Sequence, residues 1–196
     1  METIKRVVVD FRFYALFAVL MLVLFPLHES AHYLTYRAMG VHLHMTLNTA
    51  SPKDQLLRRP FPEFAGPLMN LALGIFALLM LRFSGKAHAF WSATALAASL
   101  MRVVIYLLIL GVAVKTGSGL SMGNDEPIAA HMWGLPSLTF VCLLSVPFIY
   151  IVWAVVDTWA GSRLSKALNL FGFALVTFGI GILIGNVLDP WLFPKR

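Results

Sequence analysis

Five long apolar runs decide what this chain can fold into. They fall at residues 13–38, 64–83, 90–114, 135–157 and 167–188, and each approaches or exceeds the ~20 residues needed to cross a bilayer. Hydrocarbon offers a backbone no hydrogen-bond partners, so a single chain segment of this kind crosses it as a helix that bonds to itself. The expected fold is an all-α polytopic membrane protein. It is a bundle of about five transmembrane helices in one membrane-embedded domain over residues 1–196. Composition agrees, since 59% of residues are hydrophobic and 12% are charged, against roughly 25% charged in soluble domains.

A net charge of +6 would suggest nucleic acid in a soluble chain. Here the basic residues lie mostly between the runs, where they meet headgroups and set orientation. The expected surroundings are therefore the lipid bilayer, with no nucleic-acid partner. Lys5, Arg6, Arg12, Arg82, Lys86, Arg163 and Lys166 fall on one side, and Arg37, Lys53, Arg58, Arg59, Lys115, Lys195 and Arg196 on the other, which leaves orientation open. The single cysteine, Cys142, lies within a run and excludes a disulfide framework or a thiolate cluster. The N-terminal "METIKRVVVDFR" imitates a secretory signal, but the apolar stretch after it outlasts a signal's core and no A-x-A-like site follows. It reads as a first span that stays.

Two polar connections interrupt the apolar pattern. The first, residues 41–63, opens with "VHLHMTLN", in which Val41, Leu43, Met45 and Leu47 alternate with His42, His44, Thr46 and Asn48. Period two predicts a short β-strand or hairpin with one greasy face, placed at the membrane interface or against spans that line a cavity. "SPKDQ" (51–55) reads as a turn. The second, residues 115–137, is Gly/Ser-rich and then brings Asn124, Asp125, Glu126 and His131 close together, with Pro127 suited to opening a short helix.

The first run also carries chemistry. His28-Glu29-Ser30-Ala31-His32 has the form H-E-x-x-H. Residues i and i+4 of a helix share a face, so both imidazoles can meet one metal ion. Glu29 follows the first ligand by about 100° of helix rotation and can reach a water there without binding the metal. Ionisable groups inside a membrane segment are costly and mark function. A catalytic zinc usually takes three protein ligands, and the third is open among Asp125, Asp189, Asp157, Glu126, His131, His42 and His44. Asp125 is favoured for its polar, Gly-flanked setting. "FAGPLMNLALG" (64–74) adds Gly66 and Pro67, expected to break regular structure around a cavity, and Asn70, an amide suited to a substrate carbonyl or its oxyanion. Arg102 is a further intramembrane charge, suited either to countering a carboxylate near the site or to snorkelling.

An H-E-x-x-H within a span, a strand-like stretch and then "AGPLMN" together resemble the site-2 protease family of intramembrane zinc metalloproteases. The likeness covers residues 15–80 well and the rest loosely. It implies one zinc per chain held by His28, His32 and an aspartate, with Glu29 as base and Asn70 positioning the substrate. The family's Leu-Asp-Gly is missing; "GNDEP" at 123–127 makes Asp125 the closest counterpart, and "LDP" at 188–190 offers Asp189. The implied partner is the transmembrane segment of a substrate protein, and regulation is expected from membrane partners or the bilayer. Three rival readings remain: a membrane metal-binding protein that does not cut, a haem-binding bundle and a proton-coupled transporter. The retained base opposes the first, the i, i+4 spacing opposes the second, and the lack of inverted repeats opposes the third.

Overall fold

The computed structural model describes residues 6–50, 52, 55–84, 86–116 and 124–193. The expected Gly/Ser-rich stretch over 117–123 lies outside them, as does most of the "SPKDQ" turn. The chain is a helical bundle: α1 (Phe11–Ala38), α2 (Pro60–Phe83), α3 (His88–Thr116), the short α4 (Asp125–Met132), α5 (Ser137–Asp157), and α6 (Arg163–Leu183). A π-helical turn (Ile184–Leu188) joins α6 to α7 (Asp189–Leu192). Five of these helices, counting α6 through α7 as one, are long and apolar enough to cross a membrane.

Each helix is oriented by its buried stripe. In α1 the stripe is Phe13, Phe17, Met21, Leu24, His28, His32 and Tyr36, a spacing of three or four that keeps one face inward. The histidines therefore continue a line begun by core hydrophobes. In α2 the inward line includes Gly66, Asn70, Gly74, Ala77 and Leu81. α3 is central. Residues 92–102, "SATALAASLMR", are all buried, because small side chains let neighbouring helices approach from every side. Large apolar residues such as Leu79, Leu107, Leu143, Trp153 and Leu168 point outward, as a lipid-facing belt requires.

At one end of the bundle, Asp10 caps α1 by accepting from the Phe13 N–H at 3.0 Å. The Val7 N–H donates to the Thr158 carbonyl at 3.1 Å, and the Ala160 N–H donates to the Val7 carbonyl at 2.9 Å. The beginning of α1 is thus tied to the α5–α6 turn. Phe13, Phe17, Trp159 and Phe173 pack there edge to face or tilted.

Two expectations are corrected. Residues 41–48 form no strand: they run as irregular chain with a bend at 47–48. Their alternation survives as alternate exposure, with His42 and His44 out and Val41, Leu43 and Met45 half-buried. A strand also needs a ladder partner. Instead the Leu47 N–H donates to Asp189 Oδ1 at 2.7 Å, and the Thr46 N–H closes a turn on the Thr49 carbonyl at 2.9 Å. Gly66 and Pro67, too, leave α2 unbroken from Pro60 to Phe83. A proline withholds one rung of the ladder, and the remaining turns of a packed helix carry across it.

Candidate metal centre

His28 and His32 lie on successive turns of α1, and both are buried. Asp125, the first residue of α4, is brought to them across 97 residues of sequence. His28 Nε2 lies 3.2 Å from Asp125 Oδ2, His32 Nε2 lies 3.5 Å from the same oxygen, and the two Nε2 atoms are 3.1 Å apart. Among the described residues this trio is the group of His, Cys, Asp or Glu side chains able to hold a metal ion.

The remaining contacts of the trio fix which lone pairs face inward. His32 Nδ1 donates to the Pro62 carbonyl at 2.6 Å. A carbonyl can only accept, so Nδ1 carries the hydrogen. That leaves His32 Nε2 facing the carboxylate: with a proton it donates to Asp125 Oδ2, and without one its lone pair is free for a cation held between them. Zinc bound at ~2.0–2.1 Å in tetrahedral geometry sets its ligand atoms about 3.3–3.4 Å apart. The observed triangle has that size. Two imidazoles, one carboxylate and a carbonyl on the far nitrogen of one imidazole suit zinc in chemistry as well.

Close approach of α2 is what encloses the histidines. A Cβ placed on Gly66 would fall onto His32 Nε2 and onto Cε1 and Nε2 of His28. Glycine is required here because the rings occupy the space a side chain would take. Nearby, Tyr36 donates to Glu63 Oε1 at 2.5 Å, and its own hydroxyl accepts the Arg59 N–H at 3.2 Å. These bonds tie the last turn of α1 to the first turn of α2, on which Pro62 sits.

Asp125 is also held from behind. Arg102, buried in α3, donates from Nη2 to Asp125 Oδ2 at 3.2 Å and from Nε to Glu126 Oε1 at 2.9 Å. Tyr106, one turn further along α3, donates to the same Glu126 oxygen at 2.7 Å. Burial pushes the Asp125 carboxyl up, but hydrogen bonds with His28 and His32 and the Arg102 charge outweigh it and hold the group well below the usual carboxylate range. Its side chain keeps 26% exposure, which leaves the centre an open side.

Glu29 is half-buried beside the trio and is not one of the converging ligand atoms. Its carboxylate lies near the Ala50 backbone N–H and within electrostatic reach of His32, Asp125 and Arg102. Asn70, one turn beyond Gly66 on α2, is fully buried, and among the described residues neither its Oδ1 nor its Nδ2 has a hydrogen-bond partner.

The other candidate ligands lie elsewhere. Asp189 anchors the 41–50 segment through Leu47. Asp157 stands at the α5–α6 turn, where its carbonyl accepts from Lys166 Nζ at 3.0 Å. That is the end of the bundle where α1 begins at Phe11, about 26 Å of helix away from His28. Glu126 faces Arg102 and Tyr106. His42 pairs with Arg37, while His44 and His131 are exposed. Sequence reasoning missed Gly66's role as a wall against the rings, the Pro62 carbonyl and the Ala50 N–H. Only the first left a signal, as a glycine facing inward on an apolar helix.

Comparison of the chain with protein-family models, with curated proteins and with solved structures returns no match.

Proposed function

We propose that this chain is an intramembrane zinc metalloprotease of the site-2 protease kind, hydrolysing peptide bonds in or near transmembrane segments of other membrane proteins. The observation that carries this reading is the convergence of His28 Nε2, His32 Nε2 and Asp125 Oδ2 within 3.1–3.5 Å, with Glu29 beside them. Zinc held there supplies Lewis acidity toward a carbonyl and toward water.

The rest of the chemistry belongs to the chain. Glu29 takes a proton from the attacking water on its carboxylate and returns it to the leaving amine. Arg102 keeps Asp125 an anion by donating to Oδ2. Asn70, with both amide atoms unpartnered, offers Nδ2 to a carbonyl oxygen that gains charge.

A substrate segment has to leave its own helix before a carbonyl is accessible. The 41–48 stretch lies against α1, with Ser30 Oγ 3.8 Å from Met45 Sδ, and among the described residues the N–H groups of His42, Leu43, His44 and Met45 have no hydrogen-bond acceptor. Those N–H groups would donate to the carbonyls of an unwound peptide, without a sheet being present beforehand. A cavity of about 330 Å³ lies between α1, α3 and α6, lined in part by Phe25, Asn48, Met101 and Gly185, and Phe25 is about one helical turn from His28 along α1.

The test is cleavage of a candidate membrane substrate by the wild type and by Glu29→Gln in the same vesicles. Wild-type cleavage, with loss in Glu29→Gln while zinc is retained, supports the protease. Zinc bound equally by both with cleavage by neither leaves a metal-binding membrane protein, the second reading of the same centre.

A further inference from the structure

Arg102 is the one basic residue between Phe90 and Val114, and it does not reach toward either membrane face. It is buried along with Glu126 and Tyr106, and its guanidinium divides between two adjacent carboxylates. Nε and Nη2 both donate to Glu126 Oε1, and Nη2 also donates to Asp125 Oδ2 at 3.2 Å. Tyr106 completes the cage at 2.7 Å from Glu126 Oε1.

The carboxylate oxygen that Arg102 holds is the one that faces both histidines. Helix α4 is only eight residues long and follows the 117–123 stretch. Its N-cap Asn124 makes no side-chain capping bond. A helix this short has little stability of its own, so its position depends on what it packs and bonds against. Its first turn carries two neighbouring anions, whose mutual repulsion in an apolar interior needs a cation.

We infer that Arg102, with Glu126 and Tyr106, is a positioning clamp that docks the first turn of α4 on α3 and thereby presets Asp125 as the third metal ligand. The inference rests on the metal-centre reading above. Glu126 is the anchor and Asp125 the delivered group. The guanidinium suits this task because its fixed fork spans two carboxylates at once, which a lysine ammonium cannot match. The metal centre is therefore assembled before the ion arrives. Affinity is gained by having the ligand already ordered, as for other groups that orient metal ligands from outside the coordination sphere.

The experiment measures zinc affinity of the full chain in detergent by chelator competition, with helix content recorded in parallel. Arg102→Met is expected to weaken zinc on the order of 10–100-fold, the usual range for loss of an outer-sphere partner. Arg102→Lys should recover only part of that loss. In an Asp125→Asn background, where the clamp no longer holds a carboxylate, adding Arg102→Met should cost less than about threefold further, because the two changes act through one contact.

Arg102→Met alone strands the buried Glu126 charge, so Arg102→Met/Glu126→Gln is measured as well. It removes both charges together and should keep its helix content while still binding zinc weakly. Wild-type affinity in either Arg102→Met variant, or a full additive loss in the Asn background, overturns the clamp and leaves the metal centre standing. Failure of the wild type to take up zinc overturns the metal centre and the clamp with it.

Discussion

Single residues decide whether this bundle can hold an ion. His28, Glu29 and His32 are legible in the sequence because their relationship is local: four residues make one helical turn, and the turn fixes the shared face. Asp125 is legible only as a preference, since no local rule spans the 97 residues separating it from His28. Gly66 stands between these cases: the sequence shows a glycine, and only the packing shows both imidazole rings where its side chain would be. Gly66→Ala is therefore expected to lower zinc affinity at least tenfold and to destabilise the bundle by about 1–3 kcal/mol, as overpacking does. Chelator competition and thermal unfolding in detergent read the two effects. Unchanged zinc affinity would mean that the rings have room to move, contrary to the close approach described here.

At the scale of elements, the helices follow from apolar length, while their ends follow from details that hydropathy does not carry. α2 begins at Pro60 rather than 64, because Pro60 and Pro62 suit a first turn whose N–H groups lack partners anyway. The last span runs beyond 188 to Leu192 through a π-helical turn. The 41–48 stretch shows why alternation was misleading. Period two records which side chains face inward, and it does not supply a neighbouring strand to bond with. What holds the stretch is its two ends: Val41 N–H on the Tyr36 carbonyl and Leu47 N–H on Asp189. Asp189→Ala removes the second tether. Limited proteolysis should then cut within 41–50 several times faster than in the wild type, with zinc content unchanged. Loss of zinc in Asp189→Ala would instead return that aspartate to the list of ligands.

The whole molecule is polarised along its helices. The start of α1 and the α5–α6 turn share one end, as the Val7 bonds to Thr158 and Ala160 show, and the first turns of α3 join them through the Trp159 Nε1–H bond to Ser92 Oγ. The end of α1, residues 41–50, the start of α2 and α4 share the other, where the three candidate ligands meet. Five crossings thus place the candidate site within reach of a single membrane face. In a Cys142→Ala background, Ser84→Cys and Ser162→Cys should label with a membrane-impermeant thiol reagent from one side of sealed vesicles, and His44→Cys and Trp133→Cys from the other. Labelling of His44→Cys and Ser162→Cys from the same side would contradict the five-span arrangement.

The same polarity explains what the sequence could and could not express. Apolar runs report burial in lipid, and the H-E-x-x-H motif reports one turn of one helix. The meeting of α1 with α2 and α4 depends on Gly66, on the Pro62 carbonyl and on the Arg102 fork, contacts that lie far apart along the chain. The central claim is that His28, His32 and Asp125 together hold one zinc ion. Its most direct test is the metal content of the purified full chain after zinc loading and removal of excess, for the wild type, Glu29→Gln and Asp125→Ala. One zinc per chain in the first two and none in Asp125→Ala is the predicted result; an Asp125→Ala protein that keeps zinc at the wild-type level, or a folded wild type that keeps none, would contradict it.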